Sequence, residues 1–330
     1  MKTTLSTLTT NPLEVEQSPV RVALEPAKSK TELTINADIV NYVHMDENNR
    51  RGRPNKTVLV TGASSGIGKA SVEALLGCGY TVFAGARRVD RMDSLAKAGA
   101  HLVALDVTDD ASMKAAVDAV LREAGRIDVL LNNAGYGAYG SLEEVPLDEG
   151  RRQFDVNLFG LARLTQLVLP AMREQGAGRI VNVSSSGGQF AGPFGTWYHA
   201  SKFAVEGLSD ALRMELHPFG IDVVVIQPGA IVTEGSAIIR GGLMKYSGDG
   251  PYRVGARALD KMLASSDKGS LPSPPAVVAK TIVRAVQARK PRTRYATGGG
   301  AGLLLFLRRL LTDRAFDAVM RMFLMQGANS

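Results

Sequence analysis

Apolar positions from Lys56 to about residue 296 follow two rhythms. Short runs such as Val58-Leu59-Val60 and Val223-Val224-Val225-Ile226 are apolar at successive positions. A strand needs that only when both of its faces are covered, so the runs predict a parallel sheet sandwiched between helices. On this reading strands occupy 57–61, 80–85, 101–105, 127–132, 178–184, 221–227 and 293–296. Between them, apolar residues recur at helical spacing. Val205, Leu208, Leu212 and Leu216 form one stripe, ended by Pro218 and Gly220, and Ser273 with Pro274-Pro275 opens a helix from Ala276 to about Lys290. Leu303, Leu304, Leu307, Leu310 and Leu311, then Phe316, Val319, Met320 and Phe323, predict amphipathic helices over 297–330, packed on the body or at a subunit interface. The alternation specifies an α/β fold, a Rossmann-type doubly wound parallel sheet in three α/β/α layers. Residues 1–54 show neither rhythm and few aromatics, which predicts a flexible extension ahead of a single domain over 55–330.

Composition narrows the classes of function. At 330 residues and 45% apolar content, the chain can bury a large core. A single cysteine, Cys78, excludes an internal disulfide framework and a thiolate zinc cluster, and fits a reducing, cytoplasmic setting. The histidines, His44, His101, His199 and His217, lack metal-ligand spacing, so no metal is expected. Lys2 is followed by threonines and serines without an apolar run, which argues against a secretory signal and leaves a transit peptide as the weaker reading. The net charge of +7 sits in one place. Between Arg284 and Arg314 there are eight basic residues against one acid, Asp313. A solvated face is the first reading of such a run, ahead of a membrane-surface or nucleic-acid patch.

The first strand runs into Gly62-Ala63-Ser64-Ser65-Gly66-Ile67-Gly68 and then a helix carrying Val72, Leu75 and Leu76. Glycines there permit a tight turn and close backbone approach, and the helix N-terminus offers unpaired N–H groups to a pyrophosphate. The second strand ends in Ala86-Arg87-Arg88, with no acid before Asp90. A free ribose 2′-hydroxyl calls for a carboxylate at this point and a 2′-phosphate for arginine, so NADP(H) is the expected cofactor. The alternative is that both arginines face solvent and pair with Asp90 or Asp93. Asp106, followed by Val107, closes the third strand, where it can accept from an adenine amine or cap the next segment. Tyr198 precedes Lys202 by four residues, which puts phenol and ammonium on one helix face, where the cation is expected to lower the tyrosine pKa.

With Ser185 thirteen residues before Tyr198, Asn132-Asn133-Ala134-Gly135 after the fourth strand and Pro228-Gly229 after the sixth, residues 56 to about 296 resemble the short-chain dehydrogenase/reductase family. The motif form matches its compact single-domain branch. Phe203-Ala204-Val205-Glu206-Gly207-Leu208 is similar to hydroxysteroid- and retinol-dehydrogenase-like members. The resemblance implies Tyr198 as general acid/base, Lys202 as its partner and a nicotinamide-ribose ligand, Ser185 as donor to the substrate oxygen, and Asn157 as the asparagine linking the lysine to water. It also implies cofactor contacts from the glycine loop, Asn133, Ala134, Gly135, Pro228, Gly229, Ile231 and Thr233, and a homo-oligomer. Asn157 can equally be a buried helix-bonding amide, and Thr233 a helix cap. Hydride transfer builds negative charge on a carbonyl oxygen, which then needs a proton and a fixed donor.

Residues 187–197, with Phe190, Phe194 and Trp197, and 234–272, with Tyr246 and Tyr252, are expected to form a pocket wall and a substrate lid, implying a small apolar alcohol or carbonyl substrate. Two rival readings are a catalytically silent nucleotide-sensing or scaffold protein on the same fold, and a membrane- or nucleic-acid-associated protein acting through the basic region.

Overall fold

The computed structural model describes residues 56–268 and 272–329. The expected extension over 1–54 lies outside them. Seven strands, β1 (Thr57–Thr61), β2 (Thr81–Ala86), β3 (His101–Ala104), β4 (Val129–Asn132), β5 (Gly178–Val183), β6 (Ile221–Pro228) and β7 (Arg294–Thr297), form one sheet in the order β3-β2-β1-β4-β5-β6-β7. Every pairing is parallel. The successive apolar runs have the predicted consequence. Val58 and Val60 point into one core, with Val72, Leu75, Ile282 and Val283, while Leu59 points into the other, with Phe83, Leu164, Val168 and Met172. Period-two alternation along β1 thus supplies both faces of the sheet.

The helices covering these faces are α1 (Gly66–Gly77), α2 (Asp93–Lys97), α3 (Asp110–Ala124), α4 (Leu147–Phe154), α5 (Gly160–Glu174), α6 (Thr196–Leu216) and α9 (Pro275–Gln287). Pro275 is the first helical residue of α9, where its missing N–H costs nothing. Between α4 and α5 the chain makes a π-helical turn at Asp155–Phe159. Such an inserted residue re-aims side chains, and here it carries Asn157.

The segment expected as a lid is two helices, α7 (Glu234–Ser247) and α8 (Arg253–Lys268). Leu243, Ala256 and Leu259 make a small separate core there, against Tyr139, Phe194, Met262 and Leu263. After β7 come α10 (Ala301–Leu310) and α11 (Asp313–Asn329), the latter lying beside α8. No helix among the described residues is long and apolar enough to cross a membrane.

Candidate active site

The strand order reverses between β1 and β4, and a crevice opens at such a point beyond the carboxyl ends of the strands. A cleft of about 870 Å³ occupies it. At one end lie Gly62, Ser64, Ser65, Gly66 and Ile67, at the mouth of α1. Ser65 caps α1 without a side-chain hydrogen bond, and the first turn carries no acid, so its N–H groups remain available to an anion. Gly62 has φ +66°, and a β-carbon there would stand 2.9 Å from the Ala134 backbone. Gly68 does not line the cleft. A β-carbon on it would overlap the Gly62 carbonyl, so its role is to let the loop fold onto the helix.

Arg87 and Arg88 line the cleft beyond β2, and both are exposed. The ion pair of this region joins Arg91 to Glu234 at 3.4 Å; none joins Arg87 or Arg88 to Asp90 or Asp93 among the described residues. Asp106 and Val107 line the same end. One oxygen of Asp106 accepts from the Thr108 amide at 2.9 Å and its hydroxyl at 2.7 Å. Partial burial works to raise the Asp106 pKa, but these bonds and the nearby Arg87 and Arg152 charges hold it below the usual carboxylate value. Asn133 donates to the Thr61 carbonyl at 2.9 Å, and the Thr61 hydroxyl accepts from the Asn133 and Ala134 amides. Asn133 therefore ties β4 to the glycine loop and sets where Ala134 and Gly135 run.

Ser185, Tyr198 and Lys202 converge on the middle of the cleft. Tyr198 and Lys202 share a face of α6, and Ser185 follows β5 with its Oγ accepting from the Gly187 amide at 3.0 Å. The Lys202 Nζ donates to the Val183 carbonyl at 2.9 Å. Its electrostatics differ from the sequence-based expectation. Burial pushes the Tyr198 phenol above its ordinary pKa, and the opposing influence is a hydrogen bond with Ser185 rather than the lysine charge. The same burial pushes Lys202 down to about 8, with Glu206 acting the other way.

Asn157 stands behind the cleft rather than in its lining. Its Nδ2 donates to the Tyr136 carbonyl at 2.9 Å and to Ser201 Oγ at 3.0 Å, and its Oδ1 accepts from the Tyr136 amide at 3.0 Å. A β-carbon on Gly135 would stand 3.1 Å from Asn157 Oδ1 and 3.5 Å from Lys202 Nζ, so this glycine keeps a gap open between the two. Pro228, Gly229, Ile231 and Thr233 line the far side. Thr233 also caps α7, accepting from the Gly235 amide at 3.2 Å.

His199 is held by backbone on both sides. Nδ1 pairs with the Gly187 carbonyl at 2.9 Å and Nε2 accepts from the Gly192 amide at 3.0 Å, so Nδ1 carries the proton. Burial lowers its pKa, with the Gly187 bond acting the other way, and the ring serves as a neutral clamp on the 187–192 loop.

The expected aromatic wall is mostly elsewhere. Phe190 reaches the cleft, but Trp197 turns to α4, edge-on to Phe154 at 6.3 Å, and Phe194 joins the small core under α8. Tyr246 and Tyr252 are also absent from the lining, and Tyr252 donates to Glu143 at 2.7 Å. The apolar side is built instead from Tyr139, Ile239, Leu259, Met262, Leu304 and Met320. For Ile239, Leu259, Met262, Leu304 and Met320 the helical spacing in α7, α8, α10 and α11 was the available signal, whereas Tyr139 stands between β4 and α4. A second feature is a buried charge network. Glu206, 4% exposed, accepts from Arg294 at 2.8 Å, Gln227 at 3.0 Å and Gln189 at 3.1 Å, and Arg294 also holds Asp210 at 2.7 Å.

The short chain dehydrogenase profile matches residues 56–241. A 3-ketodihydrosphingosine reductase of Bacteroides thetaiotaomicron is 42% identical over 172 residues, which are 52% of this chain and 62% of that one. An NADPH-dependent 3-dehydrocapnine reductase of Ornithobacterium rhinotracheale is 34% identical, covering 79% of this chain and 94% of its own. A solved short-chain dehydrogenase from Streptomyces avermitilis superposes with a TM-score of 0.67 at 37% identity, over 82% of this chain and 98% of the other. A glycine loop at a helix mouth, a tyrosine and lysine on one helix face and this extent of similarity lead to one conclusion: the chain belongs to the short-chain dehydrogenase family of nicotinamide-dependent oxidoreductases.

Proposed function

We propose that the protein is an NADP(H)-dependent oxidoreductase that interconverts an apolar secondary alcohol and its ketone, or an alcohol and aldehyde. The observation that carries this reading is the convergence of Ser185, Tyr198 and Lys202 on a cleft with arginines at one end and apolar side chains at the other. The uncapped mouth of α1 suits a pyrophosphate, and Arg87 and Arg88 suit a 2′-phosphate in place of a free hydroxyl. Asp106 and Val107 would face the adenine, Lys202 the ribose, and Ile231 and Thr233 the carboxamide. When bound, the cofactor supplies or accepts the hydride.

The protein's own groups handle the proton and the charge. Ser185 donates a hydrogen bond to the substrate oxygen, fixing it beside Tyr198. A phenol kept protonated by burial is suited to give its proton to that oxygen as negative charge develops there, and in the reverse direction it takes the proton back. Lys202 places a cation beside the reacting groups. Tyr139, 5.8 Å from the Tyr198 ring, and the apolar residues beyond it exclude water and favour an apolar substrate.

Tyr198→Phe tests the reading, since it removes only the phenolic oxygen. Cofactor binding by fluorescence should persist, while turnover on the best substrate of a carbonyl panel, followed by NADPH absorbance, falls by about 10²–10⁴-fold. Near-normal turnover in this variant would overturn the mechanism.

A further inference from the structure

Helix α10 carries more apolar surface than the body of the protein uses. At about 100° per residue, Leu303, Phe306 and Leu310 fall within an arc of about 60°. They are 64%, 58% and 65% exposed. Leu304, about 100° round the helix from Leu303, lines the cleft instead. Thus α10 presents one apolar face to the cleft and another to its surroundings. Single exposed leucines are ordinary, but three large side chains aligned on a 10-residue helix form a patch.

The charges that α10 itself carries are of one sign, Arg308 and Arg309 with no acid in the helix. Arg309 is exposed beside Leu310, and Arg314 and Arg321 are exposed on α11. The nearby acids are Asp313 and Asp317, and Arg308 already holds Asp313 at 2.7 Å. The patch is also continuous with the cleft through its own helix. Leu304 of α10, Met320 of α11 and Ile238 of α7 line the cleft, and Ile238 is itself 52% exposed.

We propose that α10 docks the protein on an anionic lipid surface through Leu303, Phe306 and Leu310, with the cleft opening beside the docked face. An amphipathic helix lying in the interfacial plane buries its apolar stripe at the acyl boundary while flanking arginines meet lipid phosphates. An apolar substrate dissolved in the bilayer then enters the cleft past Ile238, Leu304 and Met320 without crossing bulk water.

The test is co-sedimentation of the full chain with phosphatidylcholine vesicles, with and without phosphatidylglycerol. The expected result is binding to the anionic vesicles that is at least about tenfold weaker on phosphatidylcholine alone and weakened by salt. The Phe306→Ser/Leu310→Ser variant should lose at least about tenfold, and Arg309→Glu should also weaken binding. Both should keep the wild-type Tm and cofactor affinity, because neither change touches the cleft. Leu303→Asn gives a third, milder perturbation should the double variant fold poorly. Absence of binding to anionic vesicles, or equal binding by properly folded stripe variants, would overturn the proposal. So would sedimentation equilibrium showing that the stripe variants dissociate an oligomer while vesicle binding is unchanged, since the stripe would then join two copies of the chain. The readout requires no turnover, so its failure leaves the proposed chemistry standing.

Discussion

Lys202 offers a quantitative check on the cleft, because its burial links protonation to folding. The residue is 6% exposed, and its pKa falls from 10.5 in the unfolded chain to about 8 in the folded one. Between those values the unfolded chain binds a proton that the folded chain has released, so stability rises with pH across this window and is flat below it. A shift of this size is worth about 3 kcal/mol in full, and about 2–3 kcal/mol of it is recovered between pH 7 and pH 10. Lys202→Met removes the titration while retaining an unbranched side chain of similar length. Urea unfolding of both proteins without cofactor, at half-unit steps over that range, isolates the lysine, because tyrosines and other groups contribute equally and cancel in the difference. The wild-type stability should gain about 2–3 kcal/mol relative to the variant on going from pH 7 to pH 10. A difference that stays constant with pH would show that Lys202 keeps its ordinary pKa in the folded protein, and the account of its burial would fail.

Four further outcomes are expected. Replacing Arg87 and Arg88 by alanine should weaken NADPH binding by about 1–3 kcal/mol and leave NADH nearly unchanged, measured by fluorescence titration; equal losses would remove the case for 2′-phosphate recognition. Glu206→Ala removes the buried carboxylate but leaves Arg294 its contacts to Asp210, and should cost about 1–3 kcal/mol in urea unfolding. Arg213→Ala, which breaks a half-exposed pair with Asp210, should cost less than about 1 kcal/mol. Gly68→Ala forces a methyl group against the Gly62 carbonyl and to within 2.6 Å of Asn133 Nδ2, so it should lower stability by about 1–3 kcal/mol and cofactor affinity with it.

The strands were legible because their requirement is local. A run such as Val58-Leu59-Val60 is apolar at every position only if both faces are buried, and all seven predicted strands appear within two residues of their expected ends. The glycine loop and the tyrosine–lysine pair were legible for the same reason, as short spacings that dictate a turn or a helix face. Direction was not. Phe194 and Trp197 stand in the glycine-rich stretch before Tyr198, but only packing against α8 and α4 decides that they point away from the cleft. Residues 234–272 read as a lid loop because Gly241-Gly242 and the serines dilute the pattern, although Ala256, Leu259, Met262 and Leu263 have helical spacing. The π turn at Asp155–Phe159 leaves no mark in composition, so the setting of Asn157 could not be anticipated. The basic run likewise concealed different fates. Arg294 is a partner of buried Glu206, whereas Arg309 is exposed.

The Glu206–Arg294 contact joins residues 88 positions apart, and this has a consequence for biosynthesis. Translation delivers α6, with Tyr198, Lys202 and Glu206, well before β7 exists. A nascent chain released only that far carries a carboxylate destined for the interior but lacks the guanidinium that compensates it, so closing the interior around α6 is unfavourable until Arg294 emerges. A chain cut short before β7 is therefore expected to be less stable around α6 than the full chain, with Gln189 and Gln227 left as the donors to Glu206.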